Sequence, residues 1–424
     1  MAGNSFDKAN RKLRRFRGLW GNPDFLKLWT GQTISILGTH ITAGGLPLLA
    51  VITLQSTPLE MGLLQAVGGA PVLLFSLAAG VWVDRLRRRP LMIAADLGRA
   101  LILATIPLAA ATGWLNIWLI YVVIALAGVL SVLFNTAYRA YLPVLVEPDK
   151  IVEGNAKLSL SESTAEVVGP GLTGVLVQTI TAPVAILFDA LSYLVSVFTL
   201  IAIRKPELLP VPVEERRSLV LEARQGMHML FHQPVLLALT AEAATTSFFG
   251  NFIGVLYALY AIRELDLSPA AIGITIGVGG ASSLVGALLA ERVARRPGLG
   301  KNLLRFFLID KLFTFLIPLA ASFPSLSLLL LLISQGGDIF GTTYTIQTLS
   351  LRQVITPLHL QGRVTASMEL LVAGVGPLGA LLGGFLGQSL GVQATLFIAA
   401  AGISLGGVWL YFSPIRKMEE FPDP

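Results

Sequence analysis

Three carboxylates, Glu166, Glu242 and Asp338, lie inside long apolar runs of this chain. An ionised side chain in hydrocarbon is costly, and a proton that neutralises it removes that cost, so proton uptake and conformation can be linked at such a group. Each suits either a coupling or substrate-cation site or a satisfied structural acid. His40, in the middle of the first apolar run, is of a type that titrates near neutral pH, although a lone membrane histidine more often serves as a hydrogen-bonded packing residue. Asp96 and Arg99 have i,i+3 spacing and are expected to neutralise each other. Asp310 and Lys311 are adjacent, expected to point to different sides, and so each to need another partner. Asp189 reads as structural. His228, His232 and His359 have no partner at metal-ligand spacing and do not read as a zinc site, and no catalytic residue or metal site is expected.

A further set of charges is closely spaced. Gly80, Asp84, Arg85, Arg88 and Arg89, ahead of Pro90, follow an apolar run long enough to cross a bilayer, so they belong to a short aqueous loop between two spans. Glu291, Arg292, Arg295 and Arg296 form a degraded copy in the second half of the chain. Topology alone explains the arginines. It does not explain Asp84, because an acid at the C-terminal end of a helix opposes the helix dipole and needs arginines or a helix N-terminus to hold it. This loop is expected to act as a gate.

The elements that position these residues follow from composition. Of 424 residues, 54% are hydrophobic and 13% charged, against about 25% charged in soluble proteins. The chain is an all-α membrane protein. Its pI of about 9.6 comes from basic clusters between apolar runs with no nucleic-acid motif among them, so no nucleic-acid partner is expected. Without cysteine there is no disulfide, thiolate metal site or thiol nucleophile. The basic N-terminus precedes an apolar run too long for a cleaved signal, which reads as a retained first helix.

Crossing ~30 Å of hydrocarbon takes about 20 residues. Twelve segments qualify, in two six-helix halves at 25–203 and 234–413, with a basic segment at 1–24, a linker carrying an amphipathic helix at 204–233 and a tail at 414–424. Lys and Arg crowd one set of loops and leave Arg263 alone in the other, which predicts N-in and C-in topology. The halves are related in sequence. Thr57-Pro58 and Gly62 recur as Ser268-Pro269 and Gly273, and Gly169-Pro170 recurs as Gly376-Pro377.

Two pseudo-symmetric six-helix halves with both termini inside is the arrangement of the major facilitator superfamily. Gly80, Asp84, Arg85, Arg88 and Arg89 resemble that superfamily's motif between spans two and three, with Arg87 standing where many members have a second glycine. Phe134 to Pro143, Gly154-Asn155-Ala156 and Phe188-Asp189-Ala190-Leu191-Ser192 resemble the bacterial branch that includes macrolide efflux and enterobactin export proteins. Gly169, Pro170 and Gly174 resemble the antiporter motif of span five, departing from it at Thr173. The resemblance implies proton-driven export by a multi-pass protein of a bacterial cytoplasmic membrane. Its expected partners are a small amphipathic substrate, protons and the lipid bilayer; the proton gradient stands in place of a cofactor, and the expected state is a monomer. A lipid or lysolipid flippase and a proton-coupled importer share the fold and stay open as alternatives. No HExxH, GxSxG or Walker-type motif stands where an enzyme would need it.

Overall fold

The computed structural model describes residues 18–83, 85–207, 219–294 and 297–421, and among them every regular element is helical. The helices are α1 (Pro23–Ile52), α2 (Pro58–Val83), α3 (Arg88–Thr112), α4 (Ile117–Leu145), α5 (Ile151–Ile180), α6 (Ala182–Ala202), α7 (Leu219–His232), α8 (Pro234–Arg263), α9 (Pro269–Ala294), α10 (Leu299–Thr314), α11 (Leu316–Leu319), α12 (Ser327–Ser334), α13 (Asp338–Ile355), α14 (Gln361–Leu390) and α15 (Val392–Phe412). Ten of the described segments are long and apolar enough to cross a bilayer by length and composition. Two of the twelve expected crossings fall short for physical reasons. The first half of α5 carries Glu153, Lys157, Glu162 and Glu166, and α10 is short, charged and interrupted at Phe315.

Local chemistry sets the helix starts. The Asn22 side chain accepts from the Asp24 and Phe25 amides at 3.0 and 3.2 Å, opening α1. Thr57 and Glu60 form a reciprocal capping box before α2, and the Ser268 hydroxyl accepts from the Ala271 amide before α9. The turns feeding these two helices also match. Gln55 (φ 50°) and Asp266 (φ 51°) both adopt the left-handed conformation that non-glycine residues rarely take. In the one-residue α5–α6 and α14–α15 turns, Thr181 has φ 106° and Gly391 φ 90°. Glycine takes this backbone without penalty, and threonine does not.

Packing repeats as well. In the first part of the chain α1 packs on α5 and α6, α2 on α4, and α3 on α4 and α6; later, α8 packs on α14 and α15, α9 on α13, and α10 on α13 and α15. The two sets meet along α2–α14 and α5–α9. There the backbones approach closely. A Cβ on Gly62 would stand 2.7 Å from the Ala380 carbonyl oxygen, and one on Gly273 would collide with the Pro170 carbonyl.

The apolar core is divided unequally between the two ends. At the end away from the basic loops one cluster joins both sets of helices, including Leu48, Leu49 and Val51 of α1 with Val255, Leu256 and Tyr260 of α8. Arg263 closes this end further by reaching the Val51 carbonyl at 3.4 Å. Toward the basic loops the core splits into one cluster drawn from each set. The structure is therefore sealed at one end and separated at the other.

Candidate functional site

A cavity of about 490 Å³ lies among α8, α10 and α13, and it brings Glu242, Asp310, Lys311 and Asp338 to one place. Glu242 is 5% exposed, and both its oxygens are occupied: Tyr344 Oη donates to Oε2 and Thr246 Oγ1 to Oε1, each at 2.8 Å. Thr246 is one helical turn beyond Glu242, so α8 presents both to the same face. Asp338 is the first residue of α13, directly after the 3-10 turn Gln335–Gly337 that joins it to α12. Thr342, Thr345 and Thr348 line the cavity along α13, and Arg352 stands farther along toward the basic loops.

Asp310 and Lys311 depart from expectation. Rather than pointing apart, they form an ion pair with each other, Nζ to Oδ2 at 2.6 Å, and both line the cavity. Adjacent helical residues diverge by about 100°, but the long lysine stem can fold back across that angle. Gly341 admits the pair against α13, because a Cβ there would lie 3.1 Å from the Asp310 carboxylate. Asp338 and Glu242 are both within electrostatic reach of Lys311 and Asp310.

Glu166 and His40 lie elsewhere. Glu166 is exposed on α5, within electrostatic reach of His40. His40 lines a second cavity of about 240 Å³ with Pro170, Thr173, Gly174, Tyr257 and Gly273. Gly169 packs against the His40 side chain, while Gly174 faces the Pro269 carbonyl of α9. Thus Gly169, Pro170 and Gly174 pack α5 between α1 and α9, at the sealed contact between the two sets.

Of the loop after α2, Asp84 lies outside the described residues, as do Arg295 and Arg296 of its copy. Gly80 has open space around it, and Arg85 and Arg292 are exposed. Arg88 and Arg89 are held within their own set of helices. Glu207 accepts from their backbone amides at 2.8 and 3.0 Å and lies 3.7 Å from the Arg88 guanidinium. Arg89 donates to the Leu200 and Ile201 carbonyls at the end of α6. Glu207 thus caps α3 as a dipole-matched acid, a role the sequence signals only as a carboxylate shortly after a span.

In the same set, Arg99 pairs with Asp96, as the spacing predicts, and its guanidinium lies between the rings of Phe134 and Tyr193 at 4.4 and 4.1 Å. Both charges are buried, at 4% and 0% exposure. Asp189 is also buried, accepting from the Ser192 hydroxyl at 3.2 Å. Removing one member strands the other in a low-dielectric site. Arg99→Ala is expected to destabilise the protein by about 3–5 kcal/mol, lowering its unfolding midpoint in detergent. The double variant Asp96→Asn/Arg99→Gln should recover part of the loss. His228 and His232 stack on α7 with ring centroids 3.9 Å apart, in a groove that His359 also lines.

Comparison with known proteins places this geometry in context. The family model described as transmembrane secretion effector matches residues 20–423. The multidrug efflux pump Tap of Mycolicibacterium fortuitum is 26% identical, covering 92% of this chain and 97% of that protein. Macrolide efflux protein A of Streptococcus pyogenes is 23% identical over 62% of this chain and 65% of its own length. Among solved structures, a bacterial homologue of the iron transporter ferroportin in an inward-facing state aligns with a TM-score of 0.71 at 18% identity, covering 92% of this chain and 98% of that one. A bacterial homologue of the lysosomal transporter Spinster, inward-facing and unoccupied, aligns at 0.66 with 14% identity and the same coverage. At these identities the structures speak for fold alone.

Proposed function

The chain belongs to the transmembrane secretion effector family of the major facilitator superfamily, and from that membership we propose that it is a proton-coupled exporter of amphipathic organic compounds. It works by alternating access, with twelve spans and both termini in the cytoplasm. The observation that carries this reading is the pairing of a carboxylate-lined cavity, separated helices at its basic end and a backbone-tight seal at the other. Under the proposed topology this is the inward-open state. Substrate enters from the cytoplasm or inner leaflet and reaches the cavity among α8, α10 and α13. Rocking about the α2–α14 and α5–α9 contacts opens the outer end. Protons from outside then neutralise Asp338 or Glu242, which favours return, because a neutral carboxyl costs less to enclose than an ionised one. The relatives named as efflux pumps support export as the direction.

Inside-out vesicles holding the purified chain test the reading. Uptake of a lipophilic dye should require an inward-acidic gradient and cease when a protonophore collapses it. Uptake that ignores the gradient would overturn proton coupling. Movement of a labelled lysolipid without dye movement would favour a flippase instead.

A further inference from the structure

The inner end of the 490 Å³ cavity carries three carboxylates, Glu242, Asp310 and Asp338, against one cation, Lys311. Arg352, the other lining cation, is fourteen residues along α13 from Asp338, about 21 Å of helix, and donates to the Met368 sulfur at 3.1 Å. Carboxylates in such surroundings call for cations. Lys311 supplies one and sits as a recognised ammonium would: 2.6 Å from a carboxylate oxygen, with its Nζ 5.1 Å from the centroid of the Phe307 ring.

The pair differs in kind from Asp96–Arg99. That guanidinium is clamped between two rings and almost fully buried. Lys311 has a flexible four-carbon stem, and its side chain is 14% exposed to the cavity. Asp338 and Glu242 line the same cavity, so an ammonium that leaves Asp310 still has carboxylates beside it.

We propose that Lys311 is a tethered occupant of a cation subsite at the Asp310 carboxylate in the cavity wall, and that the cationic group of an amphipathic organic cation replaces it there. The lysine then turns to Asp338 or Glu242, so that total charge is kept while substrate and tether exchange partners. This rests on the export reading and assigns the residue that sets its preference for substrate charge.

Equilibrium binding to the full chain in lipid nanodiscs tests it with two probes, tetraphenylphosphonium and the neutral dye Nile red. Lys311→Gln should tighten tetraphenylphosphonium binding about tenfold and leave Nile red unchanged. Asp310→Asn/Lys311→Gln should lose that gain. Lys311→Arg, which keeps the charge and grips a carboxylate through two donors, should weaken tetraphenylphosphonium binding while sparing Nile red; it provides a reading even if the glutamine variant does not fold. Equal ratios of the two probes in wild type, Lys311→Gln and Lys311→Arg would overturn the proposal and leave the export reading standing. Failure of both probes to bind wild type would overturn both.

Discussion

Asp338→Asn is expected to reduce proton-driven export on the order of 100-fold while substrate binding persists. Asparagine matches aspartate in shape and keeps a hydrogen-bonding oxygen, but it cannot take up and release a proton. A coupling free energy of about 3 kcal/mol corresponds to roughly 150-fold, and the variant forfeits it if Asp338 carries the proton. Its half-buried position, open to the cavity, gives protons access that Glu242 lacks behind Tyr344 and Thr246. The measurement is gradient-driven dye uptake alongside equilibrium binding of the same dye. Undiminished uptake would remove Asp338 from the coupling step and leave Glu242 as the carboxylate to test.

The second large effect is expected at the seal. Gly273→Val puts carbon atoms into the Pro170 carbonyl across the α5–α9 contact, where backbone meets backbone and no flexible side-chain end can give way. Overpacking costs about 1–3 kcal/mol, which corresponds to roughly 5- to 150-fold in the balance between states. The sealed state loses, and cavity access shifts to the outer end. The chain contains no cysteine, so one introduced at Thr345 reports without background. Labelling by an impermeant maleimide from the basic-loop side should fall and labelling from the other side should rise. Equal labelling before and after the substitution would mean that this contact is not the seal.

How much was legible in the sequence varies with the kind of interaction. Short-range signals carried well: Thr57 and Ser268 cap helices as their Ser/Thr-Pro pattern predicts, and Asp96 meets Arg99 at one helical turn. The repeat was visible in residue types and extends to backbone angles that types alone do not announce, as at Gln55 and Asp266. Side-chain direction in broken helices did not carry. Asp310 and Lys311 sit a few residues before the interruption at Phe315, and their meeting in the cavity depends on a lysine stem folding back and on Gly341 making room. Depth in an apolar run was likewise a poor guide to burial, since Glu166 is exposed while Glu242 is enclosed. Tyr344 and Thr246, which hold Glu242, gave no signal, because a hydroxyl in a span is common and its partner lies on another helix for Tyr344.

The single apolar cluster shared at the sealed end has a thermal consequence. In the proposed alternating-access cycle, opening that end would expose Leu48, Leu49, Val255 and Leu256 to water, a cluster with no counterpart bridging the basic end among the described residues. Exposing apolar surface raises heat capacity, and the attraction that hides it weakens on cooling. The equilibrium between the two proposed access states is therefore expected to be curved in temperature, with cold favouring the outward-open form.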